Sequence, residues 1–191
     1  MNSLASTKTP FVVVVDMHGT LINSNFAFLE AFAKLNPRAS RKQLEKRIYL
    51  KESRHKIASE YGLNYQNVIS EYSKCNRINR KLVVLLRSMI DYNIPVVVIT
   101  SATGKRCAID KRYILNYIKP AKFIQNVKKS KMTKSFWSRL KKMFGTNLVL
   151  YIGNDPEEDA IHFTGVISLL NAEFVERRLK ITHGSAPKVI F

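Results

Sequence analysis

The sequence predicts an α/β protein: a Rossmann-like, mostly parallel sheet flanked by helices, with a small all-helical cap inserted after the first strand. Three observations lead there. "FVVVVD", residues 11–16, is an aliphatic run rich in valine, as expected of a strand buried on both faces. From Ile94 onward, short aliphatic runs alternate with helix-length amphipathic stretches, the pattern of strand-helix-strand units joined by right-handed crossovers. Between these regions, helical periodicity continues without a strand-like run.

The elements follow in order. Asp16 and His18 end the first strand, and Gly19-Thr20 suits a tight turn directly after it. "NSNFAFLEAFAKL" is a helix opened by Asn23 or Ser24 and closed by Asn36-Pro37. Ser40, with Gln43 three residues on, has the form of a capping box, and the stripe Leu44, Ile48 resumes after a break at Ile57 and Tyr61. Val68, Ile69 and Tyr72 mark a third helix and "RKLVVLLRSMIDY" a fourth, with the helical block expected between Asn23 and about Asn79. In the fourth, Leu82, Leu85, Leu86, Met89 and Ile90 are expected inward. "IPVVVIT" is the second strand; a helix over about 104–118 turns Ile109, Tyr113, Ile114 and Tyr117 inward; "AKFIQ" is a short strand. A helix burying Phe136, Trp137, Leu140 and Met143 precedes the strand "NLVLYIG", a short helix from about Pro156, and a last strand, "GVISLL".

A chain of 191 residues with 46% hydrophobic content can bury a core as one domain carrying an insertion. The expected division is a flexible tail over 1–10, a core over 11–22 and 80–191, and a cap over 23–79. Cys75 and Cys107 lack any CxxC or Cys/His pattern, which excludes a disulfide scaffold and a structural zinc site. "MNSLASTKTP" has no apolar signal region and no apolar run could cross a bilayer, so a soluble, cytoplasmic protein is expected, with no transmembrane segment. The 32 Lys+Arg against 14 Asp+Glu, a net charge of +18, predict attraction to polyanions.

Three strands end in polar residues of a consistent kind. Asp16 follows the first, Thr100 and Ser101 the second, Asp155 and Asp159 the strand "NLVLYIG", and the lysine-rich "KKSKMTK" lies between the last two. The carboxyl edge of an open α/β sheet is where ligands bind. A carboxylate, a hydroxyl donor, a cation and two more carboxylates would therefore converge there.

"DMHGTL" resembles the first motif of the haloacid dehalogenase (HAD) superfamily, an aliphatic strand followed by Asp-x-Asp-Gly-Thr. "VVVIT" is similar to its second motif, Lys131 is the candidate for its third, and "YIGNDPEEDA" is similar to its fourth. The resemblance spans residues 11–160 and implies phosphoryl transfer to Asp16 with bound Mg²⁺. It implies a metal held by the Asp16 side chain, the main-chain carbonyl of His18 and Asp155, with Asp159 in support. Lys131 would offset the clustered negative charge and Thr100 would hydrogen-bond a phosphoryl oxygen, with Ser101 as its rival and Lys128, Lys129 and Lys134 as rivals of Lys131. These roles are chemically coherent, because phosphoryl transfer asks a protein mostly for positioning and charge stabilisation, and Mg²⁺ suits carboxylate and phosphate oxygens. The expected activity is a Mg²⁺-dependent phosphomonoester hydrolase acting on a phosphorylated small molecule, nucleotide or nucleic-acid end. The alternative is a catalytically impaired relative that binds phosphorylated ligands or nucleic acid through its basic surface.

His18 is the departure, since the family pattern has an aspartate there as acid and base. Imidazole can do that chemistry near neutrality. A divalent cation about 5 Å away would, however, repel imidazolium by roughly 6–7 kcal/mol at an effective dielectric of about 20. Neutral His18 is expected without substrate, with acid function restored by a bound phosphate dianion, or lost altogether, or replaced by another reaction.

Two basic clusters, between Lys34 and Lys56 and between Lys119 and Lys142, would steer a polyphosphorylated or nucleic-acid end toward Asp16 if they face the cleft. Tyr49, Tyr61 and Tyr65 could stack on bases, or serve as core at helical spacing. The closing "KITHGSAPKVIF" suits an edge strand or contact segment.

Overall fold

The computed structural model describes residues 10–75, 77–127, 130–155 and 159–170. Its sheet is built from β1 (Val12–Asp16), β2 (Val96–Ile99), β3 (Lys122–Ile124), β4 (Val149–Gly153) and β5 (Val166–Leu170), in the spatial order β3-β2-β1-β4-β5. All four pairings are parallel. The chain moves outward from β1 to β2 and β3, then returns to the other side of β1 for β4. That reversal opens a crevice at the carboxyl ends of β1 and β4, where open parallel sheets place their ligands.

Every residue of β1 and β2 is buried, which the valine runs require, and alternation divides them between two faces. Val13 and Val15, with Val96 and Val98, pack against Val83 and Leu86 of α5 (Arg80–Asp91) and Cys107 and Ile114 of α6 (Gly104–Leu115). Val12 and Val14, with Val97 and Ile99, pack against Phe136, Trp137 and Leu140 of α7 (Lys134–Phe144).

Four helices stand between β1 and α5: α1 (Ser24–Leu35), α2 (Arg41–Tyr49), α3 (Arg54–Glu60) and α4 (Tyr65–Lys74). They enclose an apolar cluster of their own around Phe28, Phe32, Leu44, Ile57, Val68 and Tyr72. Their starts follow from local chemistry, because Asn23, Ser40, Ser53 and Asn64 each accept a first-turn N–H on the side chain. The block leaves and rejoins the core through a narrow stem. Ile22 bridges Ile78, Asn23 N–H donates to Arg77 C=O at 2.6 Å, and Asn79 N–H donates to Leu21 C=O at 2.9 Å. Tyr61 and Tyr65 pack partly against this cluster, and Tyr49 is buried.

Two inward assignments from periodicity are corrected. Leu85 and Met143 are 47% and 49% exposed, because α5 and α7 each cover only one face of the sheet and the buried stripe is narrower than the run of apolar letters. Val83, flanking that stripe, is buried instead. The short helix expected from Pro156, most of the tail over 1–10, and the closing "KITHGSAPKVIF" lie outside the described residues. No helix among the described residues is long and apolar enough to cross a membrane.

The Leu85/Leu86 contrast is measurable by urea unfolding. Leu86→Ala should cost about 2–5 kcal/mol, as truncation at a fully buried site does, whereas Leu85→Ala should stay within about 0.5 kcal/mol.

Candidate active site

Asp16, His18, Thr100, Lys131, Asp155 and Asp159 all line one cleft of about 690 Å³ between the carboxyl edge of the sheet and the helical block. β1 delivers Asp16, and the turn after it folds back tightly: Leu21 N–H donates to Asp16 C=O and Gly19 N–H to Ile22 C=O. Gly19 is required here. Its φ is +92°, and a Cβ would lie 2.5 Å from the side chain of Asn154. Thr20 Oγ1 donates to Asn154 Oδ1 at 2.9 Å, which ties the loop after β1 to the loop after β4.

Lys131 sits in a 3₁₀ turn over Ser130–Met132 and is 2% exposed. Its ammonium donates to Asp159 Oδ1 at 2.5 Å, and its carbonyl accepts the indole N–H of Trp137 at 2.7 Å. Lys128 and Lys129 lie outside the described residues. Asp159 is heavily engaged inside the fold: Oδ1 also accepts from Tyr151 OH at 2.6 Å, and Oδ2 accepts the N–H groups of Asn154 and Asp155 at 2.9 Å each. Such a carboxylate shapes the loop and places Lys131. Gly153 gives it room, since a Cβ there would lie 2.5 Å from the Asp159 side chain.

Asp155 is paired differently. Its Oδ2 lies 2.6 Å from the ammonium of Lys51, which stands in the turn after α2 with a left-handed φ of 60°. A cation from the helical block therefore already sits beside one of the expected metal carboxylates.

His18 is held at both ring nitrogens. Nε2 is 2.8 Å from Asp110 Oδ2 and Nδ1 is 2.9 Å from Thr100 Oγ1. Asp110 accepts, so Nε2 carries the proton; Nδ1 then accepts from the Thr100 hydroxyl, whose oxygen accepts Ala102 N–H at 3.0 Å. Burial is the main cause pushing the His18 imidazole down to about 4, against the hydrogen bond to Asp110. Desolvation thus favours the neutral ring. Thr100 spends its single proton on His18 in this arrangement.

Asp110 was not foreseen, and it is fully buried. Besides His18 it accepts from Tyr72 OH at 3.0 Å and from Nε and Nη2 of Arg77 at 3.0 and 2.9 Å. Burial alone would raise its carboxyl; the hydrogen bond from His18, and the charge and hydrogen bonds of Arg77, outweigh that and hold it low. A signal did exist. Cys107, Asp110 and Ile114 fall on one helical stripe, and an acid inside an apolar stripe needs buried partners. Lys51, Arg54 and Arg106, also at the cleft, were hidden among many basic residues.

The cleft fits a hard cation in a restricted way. Among the described residues no three acidic, histidine or cysteine side chains converge as a metal cage. Asp16 and Asp155 with a main-chain oxygen would leave the remaining positions to water and phosphate, which suits Mg²⁺ because it dehydrates reluctantly. The His18 ring, engaged at both nitrogens, is no ligand.

No protein-family model matches the sequence, and no curated protein sequence matches it. Solved structures do match in shape. A Thermotoga maritima protein assigned as a β-phosphoglucomutase aligns with a TM-score of 0.59 at 13% identity, over 88% of this chain and 91% of that one. A Bacillus subtilis protein assigned as a HAD hydrolase, solved with magnesium, aligns at 0.53 and 12% identity over 79% and 82% of the two chains. A hydrolase from Streptococcus pneumoniae aligns at 0.50 and 15% identity over 78% and 84%. At such identities the likeness is one of fold, and the chain has the fold of the HAD-superfamily hydrolases.

Proposed function

We propose that the chain is a Mg²⁺-dependent phosphomonoester hydrolase that works through an aspartyl phosphate on Asp16, with α1–α4 as a cap over the site. The observation that carries this reading is the position of Asp16: a carboxylate at the carboxyl end of the central strand, in a cleft lined by Lys131, Lys51 and Asp155. An Asp16 oxygen attacks phosphorus, the bond from phosphorus to the leaving oxygen breaks, and water later hydrolyses the acyl phosphate to inorganic phosphate and free Asp16. Lys131, fixed by Asp159 and lining the cleft, would offset the charge of the transferring group. Mg²⁺, held by Asp16 and Asp155, would supply further charge neutralisation at the phosphoryl oxygens.

One observation favours a narrower second reading, the impaired enzyme. Neither ring nitrogen of His18 is left to protonate a leaving oxygen. A leaving group stable as an anion, such as a phenolate, needs no such proton; a strongly basic alkoxide does.

Three outcomes test these readings. Release of phosphate from an aryl phosphate should require Mg²⁺ and fall at least about a thousandfold in Asp16→Asn, the scale on which a missing nucleophile is felt; Mg²⁺-independent release, or an active Asp16→Asn, overturns the assignment. An alkyl phosphate should turn over at least about a hundredfold more slowly than the aryl ester, the usual worth of a general acid. Equal rates would mean that His18 is released from Asp110 when substrate binds. Lys51→Ala should tighten Mg²⁺ binding, measured by calorimetry without substrate, by about two- to fivefold, which is what a partly exposed competing ion pair is worth. Unchanged or weaker binding would show that Lys51 and the metal do not compete for Asp155.

A further inference from the structure

Two arginines enter the cleft from different parts of the molecule, Arg54 at the start of α3 and Arg106 in the first turn of α6. Their guanidinium carbons lie 5.8 and 5.4 Å from the centroid of the same ring, Phe28. Phe28 is itself fixed by stacking on Tyr72, with 4.5 Å between centroids. The two cations therefore share one rigid aromatic platform, half of it carried by the helical block and half completed from the core.

Among the described residues, neither guanidinium has a carboxylate hydrogen bonded to it. Arg54 donates to Glu52 C=O at 2.8 Å and to Asn25 Oδ1 at 2.9 Å, both uncharged acceptors. Arg106 Nε lies 3.9 Å from Asp110 Oδ2, outside hydrogen-bond range, and Asp110 already serves His18, Tyr72 and Arg77. Among the described residues, Arg106 Nε is the buried side-chain nitrogen or oxygen without any hydrogen-bond partner. A buried donor left unmade costs about 1–3 kcal/mol, so its persistence calls for an acceptor that arrives later. Burial, and then the charge of Arg106, push the Arg54 guanidinium down to about 10. Like charges in a poorly solvated place destabilise a fold unless an anion comes between them.

We propose that Arg54 and Arg106 form the receptor for a second anionic group on the substrate, so that the substrate class is phosphomonoesters carrying a carboxylate or a further phosphate away from the scissile one. This rests on the reading of the cleft as a phosphomonoester site. The planar forks of two arginines suit the paired oxygens of either group. A cleft of about 690 Å³ is far larger than one phosphate, which leaves room for a second group beside the reacting one. Because one arginine belongs to α3 and the other to α6, a doubly anionic substrate would also draw the helical block onto the core. A singly anionic one would not.

Calorimetric titration of the Asp16→Asn protein with Mg²⁺ present, where no phosphoryl group can be transferred, tests this with two ligand pairs. Ethyl phosphate against phosphoglycolate differs by a carboxylate; fructose 6-phosphate against fructose 1,6-bisphosphate differs by a phosphate. The doubly anionic member of at least one pair should bind about tenfold or more tightly, and the pair that shows the gap identifies the group. Adding Arg54→Gln or Arg106→Gln should close the gap to within about threefold while leaving the singly anionic member unchanged. Equal affinity within both pairs, with the single members binding, overturns this inference alone, whether or not the glutamine variants fold. Glutamine variants that weaken both members alike overturn it as well. No binding by any of the four, to the Asp16→Asn protein or to the wild type, overturns the phosphomonoester reading and this inference with it.

Discussion

The buried pair of Arg77 and Asp110 is the joint on which the rest depends. Both side chains are wholly removed from solvent, and every Arg77 nitrogen that the fold encloses is answered. Nε and Nη2 bind Asp110, while Nη1 donates to the carbonyls of Tyr72, Ser73 and Cys75 at the end of α4. The rings of Tyr72 and Tyr113 hold the guanidinium from 4.6 and 4.2 Å. A buried ion pair seldom adds net stability over an apolar replacement, because desolvation consumes most of the attraction. It does enforce a single arrangement, since half of it left alone would be a buried charge. Here that arrangement fixes the end of α4, the stem, α6 and, through His18, the turn that follows Asp16.

The same hydrogen-bond accounting separates the acids that resemble one another in sequence. Asp159 is nearly inaccessible and receives bonds from Lys131, Tyr151 and two main-chain amides, so its charge acts on the site through Lys131. Asp155, one helical turn earlier in the chain, keeps a face toward the cleft and meets Lys51 there. Two aspartates four residues apart thus do different things, and only the donors around them tell which. Thr100 is a parallel case. Its place at the end of β2 matches the expected phosphate donor, yet its proton points to His18.

The sheet and its edge were legible because burial on both faces leaves a plain record: uninterrupted valines in β1 and β2, and polar residues where those strands stop. Two helices of the block were legible through their caps, Asn23 and Ser40, whereas the caps at Ser53 and Asn64 were not read. What could not be read is what depends on the third dimension. Asp110 lies 92 residues from His18 in sequence, and no local pattern couples them. Lys51 and Arg54 sit in a basic run where other members pair with acids of the helical block, as Arg47 does with Glu52 and Glu60 and Arg41 with Glu30. Periodicity could name an apolar face for α5 but not its width, so Leu85 was placed inside.

Net charge invites a polyanion reading, but the cleft answers to far fewer residues than the total of +18 suggests. Exposed lysines act over about a Debye length, roughly 8–10 Å at ordinary ionic strength, and mostly raise the rate at which any anion arrives. They do not choose among anions. Choice requires cations whose own solvation has been removed and whose positions are fixed, because only those lose stability when the wrong group is present. By that criterion Lys131, Arg54 and Arg106, more than the exposed Lys51, would choose what the cleft holds, and the surface excess would set how fast it fills. Lys131 and Lys51 stand over the acids at the strand ends and Arg54 and Arg106 over Phe28, so the cationic character of the cleft is concentrated at two places. A ligand with charge at one end only would leave half of that arrangement unanswered.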